Sequence, residues 1–289
     1  MVVDRSLGSR LFDLFLYVFM CLVVFIFIAP FLYMFTLATS SMSAIINNKV
    51  TILPVGFNFN AFLKIFDYPG FFNAYKNTIF YTVAGTFISL SVLLLFAYPL
   101  SKPYLSGRKI IFGLIIFSMF FNGGLVPNFL LISTLRLKNT VWAILIPFAI
   151  SQFNLIIMIN FMRALPVEIE EAAMIDGMGY FGILTRIVVP LAKPAIATIG
   201  LYTAVFFWND WFHALLYLSS KQYPVMMILR NIVVSAANAG DATGYGDRNV
   251  AEMSSKAAVI LVSVLPIIAL YPFMQRFFVK GLTVGSIKG

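Results

Sequence analysis

RALPVEIEEAAMIDGMGYFGILTRIVVPLAKP fills residues 163–194 and separates two apolar runs, 141–161 and 195–218, that between them carry a single formal charge, Asp210. The stretch holds its own start and stop signals. Pro166 suits the first turn of a helix, and Glu168, Glu170 and Glu171 favour its electropositive N-terminal end. Gly177 can take the left-handed conformation that ends a helix, and Gly179 and Gly182 loosen the turn that follows. Phe181, Leu184, Ile187 and Val188 then recur at helical spacing, and Pro190 is expected to stop the second helix. The reading is a compact helix-turn-helix lying beside a membrane.

Working outward, the rest of the chain supplies that membrane. Of 289 residues, 61% are hydrophobic and 11% charged, against about half and about a quarter in soluble domains. Lipid is the expected solvent. Six apolar stretches, 11–37, 78–100, 110–132, 141–161, 195–218 and 257–278, reach the length of about 20 residues that crosses a bilayer. They lack the alternation of a membrane barrel, and backbone groups in lipid must be satisfied internally, so the expected fold is an all-α bundle of six transmembrane helices in one domain. The first run is too long for the hydrophobic core of a cleavable signal and reads as a retained helix. Placing the N-terminus inside puts Arg5, Arg10, Lys102, Arg108, Lys109, Arg163, Arg186, Lys193, Arg276, Lys280 and Lys288 on the cytoplasmic side, eleven of the 20 basic residues. With Lys102, Arg108 and Lys109 flanking two helices directly, both termini are expected to be cytoplasmic. Two segments exceed simple connectors: the inner 162–194 and the outer 219–256.

Composition also excludes classes. The net charge of +9 is dispersed rather than gathered on one basic face, so no nucleic-acid partner is expected. One cysteine, Cys21, and one histidine, His213, allow no disulfide, no catalytic cluster and no metal site; Cys21 reads as packing and His213 as structural or interfacial. No Gly-x-x-x-x-Gly-Lys-[Ser/Thr] phosphate loop occurs, so ATP and Mg, if used, belong to another polypeptide.

Glu171-Ala172-Ala173, Gly177 and Ile187-Val188-Val189-Pro190 stand at the spacing of a pattern found in the permeases of ABC importers, EAA, three residues, Gly, nine residues, Ile-x-Leu-Pro. Only Val189 departs from it, for leucine. The resemblance runs over nearly the whole chain and is closest to the shorter permease of carbohydrate importers of the maltose type. FFNGGLVPNFLL at 120–131, the Trp208-Asn209 pair and RFFVKGL at 276–282 are similar to the branch associated with complex oligosaccharides. It implies a non-catalytic, multi-pass subunit of the bacterial plasma membrane, paired as a heterodimer with a second homologous permease, two ATPase subunits and an extracellular solute-binding protein. It also implies an ATPase-coupling helix, with Glu170, Glu171, Ala172, Ala173, Asp176, Gly177, Ile187 and Pro190 in the coupling region. The plain alternative is an amphipathic helix resting on headgroups, against which stand three acidic residues that anionic lipid would repel.

A passage can be sought on physical grounds. Asn122, Gln152 and Asn209 each fall about 16 to 21 Å into a core about 30 Å thick, so polar groups from three helices share one depth. Asp210 adds a charge there, Trp208 and Trp211 flank it with aromatic faces suited to a sugar ring, and Gly123, Gly124 and Pro127 can break the third helix at this level. The competing reading is that these amides only tie helices together. Asn238, Gly240 and Asp241 in the outer loop are expected either to meet the binding protein or to be a solvated connector. Two rival functions remain at this point. An ion-gradient transporter needs more buried ionisable groups than Asp210, and a membrane enzyme acting on lipid-linked sugar needs paired acids or a metal cluster at one face.

Overall fold

A computed structural model describes residues 7–239, 253–270 and 272. Every regular element among them is helical. In order they are α1 (Leu7–Thr39), α2 (Met42–Ile46), α3 (Asn60–Phe66), α4 (Phe71–Ser101), α5 (Arg108–Phe120), α6 (Leu125–Thr134), α7 (Trp142–Leu145), α8 (Gln152–Arg163), α9 (Val167–Ile175), α10 (Tyr180–Ile183), α11 (Val189–Leu191), α12 (Lys193–Asn209), α13 (Phe212–Tyr217), α14 (Val225–Ala239) and α15 (Met253–Leu270). A π-turn, Leu184–Val188, joins α10 to α11.

Gly8–Thr39, Phe71–Ser101 and Met253–Leu270 are each long and apolar enough to cross a membrane. Two bent pairs qualify only when taken together: α5 with α6 at 114°, and Tyr180–Leu191 with α12 at 81°. Among the described residues, length and composition thus give three spans, or up to five with the bent pairs, where six were expected of the whole chain. The difference arises at breaks. The run 110–132 divides at Phe121–Gly124, where Gly124 has φ +88. The run 141–161 divides between α7 and α8, and the run 195–218 divides at Asp210 and Trp211. Part of 257–278 and both termini lie outside the described residues.

Two compact units partition the chain, 1–69 with 229–265, and 70–228 with 266–289. In the first, most of α1 is uncovered: its window of greatest hydropathy has no buried residue, and Cys21 is exposed rather than packed. A helix that satisfies its own backbone needs no protein cover in lipid. Only the end of α1 is packed: Leu37 and Ala38 are buried, and the Leu37 carbonyl accepts from Ser254 Oγ at 3.1 Å.

In the second unit α4 is central. Its neighbours are α8 and α12, with Leu93, Ala97, Leu155, Met158, Ile159 and Ile199 buried among them. Two glycines set the α4–α12 approach. A Cβ on Gly85 would lie 2.5 Å from the Phe207 ring, and one on Gly200 would lie 3.3 Å from Leu90 Cδ1. Each helix therefore receives the other's large side chain, the role small residues play where membrane helices cross. The N-terminal end of α4 holds the start of the segment expected to be an outer loop: Asn77 Nδ2 donates to the Lys221 and Tyr223 carbonyls, Tyr81 Oη to that of Gln222, and Val225 N–H to Thr78 Oγ1 at 2.8 Å. That loop is not all connector, because 225–239 is the helix α14, with Val225, Met227 and Ile228 buried.

Gly85→Leu should drive a side chain into the buried Phe207 ring and lower stability by about 1 to 3 kcal/mol, the usual cost of overpacking. Thermal unfolding of the purified protein measures this; an unchanged midpoint would mean that the two helices are not held at this distance.

Candidate functional site

The segment 163–194 is built much as its residue types dictate. Pro166 precedes α9 as its N-cap, and Glu168 and Glu170 lie in the first turn, at the positive end of the helix dipole. Gly177 has φ +80, its N–H bonds the Met174 carbonyl at 3.0 Å, and Met178 N–H bonds that of Ala173 at 2.9 Å. This pair of bonds is a Schellman ending, in which a left-handed residue lets the chain satisfy the last carbonyls. Pro190 does not stop the following helix. The π-turn before it widens the backbone where the proline ring would meet the preceding carbonyls, and the chain continues to Leu191 before turning at Ala192.

The expected coupling residues divide between two faces. Glu171, Ala172, Asp176, Gly177 and Pro190 are exposed, and Ile187 is half-buried against the core. Glu170 and Ala173 face inward. Glu170 is buried, pairs with Lys102 through Oε2, and accepts from Tyr98 Oη at 3.3 Å on the same oxygen. Lys102 also sits over the Tyr98 ring at 4.7 Å. Since Tyr98 lies in the last turn of α4 and Lys102 is its C-cap, this carboxylate ties α9 to the end of the central helix. Beside it, burial, then the neighbouring Tyr180 hydroxyl bonded to it, and then Glu170 hold the Tyr104 phenol above its ordinary pKa. Around Glu170 the exposed part of the segment mixes Glu168, Glu171 and Asp176 with large apolar side chains: Ile175 is 88% exposed and Phe181 70%.

The expected passage residues also divide. Asn122 and Gln152 line one cavity of about 580 Å³, formed where the α5–α6 break faces the α7–α8 break. Asn128, Ser151, Asn154 and Tyr202 join them there, residues the sequence reading passed over. The spacing of Asn122 and Asn128 across a Gly-Gly-x-x-Pro break was the signal available. Asn122 Oδ1 accepts from Gly124 N–H at 3.0 Å and from Asn128 Nδ2 at 3.4 Å, and Ser151 Oγ accepts from Asn154 N–H at 3.4 Å. Polar side chains thus cap the helix ends that the breaks expose, and the same groups line the cavity.

Trp208, Asn209, Asp210 and Trp211 do not line it. Trp208 is buried edge-on to Tyr75 with ring centroids 5.8 Å apart, Asn209 and Trp211 are exposed at the end of α12, and Asp210 turns back on its own chain. Asp210 Oδ1 accepts from His213 N–H at 3.2 Å and lies 2.8 Å from His213 Nδ1. The imidazole rests 4.2 Å from the Phe148 ring centroid and 6.4 Å from that of Phe206, both of which line the cavity. Asp210 and His213 hold the cavity wall from behind. Asn238 lies in α14, while Gly240 and Asp241 lie outside the described residues.

The family described as "Binding-protein-dependent transport system inner membrane component" matches residues 70–284, beginning where the second compact unit begins. The chain belongs to this family of permeases. It is 41% identical over 284 residues to Protein LplC of Bacillus subtilis (strain 168), covering 98% of this permease and 96% of LplC. It is 38% identical over 284 residues to the polygalacturonan/rhamnogalacturonan transport system permease protein YtcP of the same organism, covering 97% and 99%. A chain in the crystal structure of a bacterial ABC transporter involved in import of the acidic polysaccharide alginate superposes with TM-score 0.84 at 33% identity, covering 95% of this permease and 99% of that chain. The protein is therefore a permease subunit of an ABC importer and an inner-membrane component, not an enzyme. The EAA pattern at 171–173 is typical of the family. Neither rival function survives this membership.

Glu170→Gln leaves Lys102 without its buried counter-charge and should cost about 2 to 3 kcal/mol, below the upper range for a broken buried pair because Lys102 keeps some solvent. Glu171→Gln, on the exposed face, should stay within about 0.5 kcal/mol. Unfolding of Glu170→Gln, Lys102→Met and the double variant checks this: partial recovery in the double variant is the expected sign of a coupled pair.

Proposed function

We propose that this permease carries oligosaccharide across the bacterial plasma membrane, with acidic glycans of the polyuronate kind as the first class to test. The observation that carries the reading is the cavity at the two helix breaks. Its lining combines amides and hydroxyls with the Phe121, Phe148, Tyr202 and Phe206 rings. Sugars need both, a hydrogen-bonding rim and an aromatic surface for their C–H faces. None of the lining residues is charged, so an anionic sugar meets no fixed like charge there. The polygalacturonan/rhamnogalacturonan permease and the alginate transporter support the substrate class by likeness.

In this reading the chain has six spans, the fourth made of α7 and α8 across their break, and both termini are cytoplasmic. A second homologous permease completes the pathway, and an extracellular solute-binding protein delivers substrate to it. Two ATPase subunits bind ATP and Mg. One of them receives α9, whose exposed Glu171, Ala172 and Ile175 offer a carboxylate, a close approach and an apolar contact. Glu170 and Ile187 serve by fixing that helix to the permease core, and Asp210 and His213 by backing the cavity wall.

In the complete transporter reconstituted in vesicles, Asn122→Ala and Gln152→Ala should each lower galacturonate-oligosaccharide uptake roughly tenfold, about 1.4 kcal/mol for a lost hydrogen bond, while assembly stays intact. Unchanged uptake across uronic and neutral oligosaccharides would overturn the passage. Gly177→Val, strained at positive φ, should uncouple: substrate-stimulated ATP hydrolysis falls while the permease stays folded. Full stimulation would remove α9 from the coupling path.

A further inference from the structure

Where α4, α5 and α8 end near one another, three cations gather with no acid paired to them among the described residues. Arg108 and Lys109 open α5, and Arg163 closes α8. All three line one groove of about 820 Å³, walled otherwise by apolar side chains. Arg163 lies over the Phe112 ring at 5.2 Å and reaches the Leu100 carbonyl at 3.4 Å. Among the described residues the two ion pairs are Lys102 with Glu170 and Asp210 with His213, so no acid answers this trio.

Helix energetics favour Arg163, at the negative end of α8, but not the other two. Two cations in the first turn of α5 oppose its dipole, whose positive end adds to the same field. Below them the groove follows α5 past Phe112 and Gly113 to Ile116, about 12 Å along the helix at 1.5 Å per residue. A side chain on Gly113 would meet nothing within 4 Å, so the floor is open at that point. The site therefore asks for one molecule that is anionic at one end and hydrocarbon beyond it.

We propose that this groove holds an anionic phospholipid, its phosphate between Arg108, Lys109 and Arg163 and an acyl chain along Phe112, Gly113 and Ile116. Basic pockets at the ends of membrane helices take such headgroups. Soluble phosphate offers the charge without the chain, and a neutral lipid the chain without the charge. That the lipid comes from the inner leaflet rests on the proposed cytoplasmic placement of 163–194; its retention does not.

The assembled transporter, extracted from vesicles of mixed phosphatidylglycerol and phosphatidylcholine, is weighed intact by native mass spectrometry. The wild type should keep phosphatidylglycerol over phosphatidylcholine. The double variant Arg108→Gln/Lys109→Gln should lower that retention about thirtyfold, roughly fivefold for each basic side chain removed from an anionic surface. Gly113→Leu keeps all three cations but fills the floor, and should also lower retention several-fold, while millimolar inorganic phosphate should not displace the lipid. Unchanged retention in both variants overturns the proposal. Displacement by phosphate with no effect of Gly113→Leu makes the site one for a soluble anion and overturns it too. Loss of a protein subunit in the double variant, with lipid retained, would make the groove a subunit contact instead. Oligosaccharide uptake is scored separately, so a wrong substrate leaves the lipid result standing.

Discussion

The close approach of α4 and α12 is the constraint on which the larger unit rests. Gly85 and Gly200 each leave a hollow, and Phe207 and Leu90 fill them from opposite directions along the chain. In lipid there is little hydrophobic gain from bringing two helices together, so the contact must come from fit. Once α12 is seated, Phe206 is fixed beside it, and with it one wall of the cavity. The long α4 then serves both ends of this unit, holding the 221–225 segment at its N-terminal end and α9 at its C-terminal end.

The attachment through Glu170 gives the proposed coupling role of α9 its mechanical meaning. A helix as short as α9 would fray alone in water. Here its first turn is pinned through Glu170 to Lys102 and Tyr98, and its last turn is closed by Gly177. Between the two fixed points the outward residues are presented on a stiff element. Displacement of α9 by a partner would therefore be felt at the end of α4 rather than absorbed by a loop.

Much of this was legible in the residues. Gly177 as a left-handed ending, the break at Gly123 and Gly124, and the shared cavity of Asn122 and Gln152 all follow from local chemistry and depth. What stayed hidden depends on neighbours. Glu170 and Glu171 look alike in sequence, and only the position of Lys102 turns one of them inward. Asp210 resembled a passage residue because a charge at that depth is costly, yet its Oδ1 is answered within the chain by His213 and the start of α13, while Oδ2 is buried without a partner. Pro190 signalled a stop, but a π-turn accommodates it. The helix 225–239 was lost inside a long polar segment whose Gly-rich end dominated the reading, although Val225, Met227 and Ile228 bury one face.

Asn122 and Ser151 do two jobs at once, capping broken helix ends and lining the cavity. Their identities are thus held by the backbone as much as by any cargo. If the cavity holds glycan as proposed, a lineage adapting to a new one would pay twice for changing them, once in recognition and once in the shape of the break. Tyr202 and Phe206, which rise from an unbroken stretch of α12, carry no such second duty to the main chain. Divergence in what these permeases accept should accumulate on that smooth wall while the broken walls stay alike.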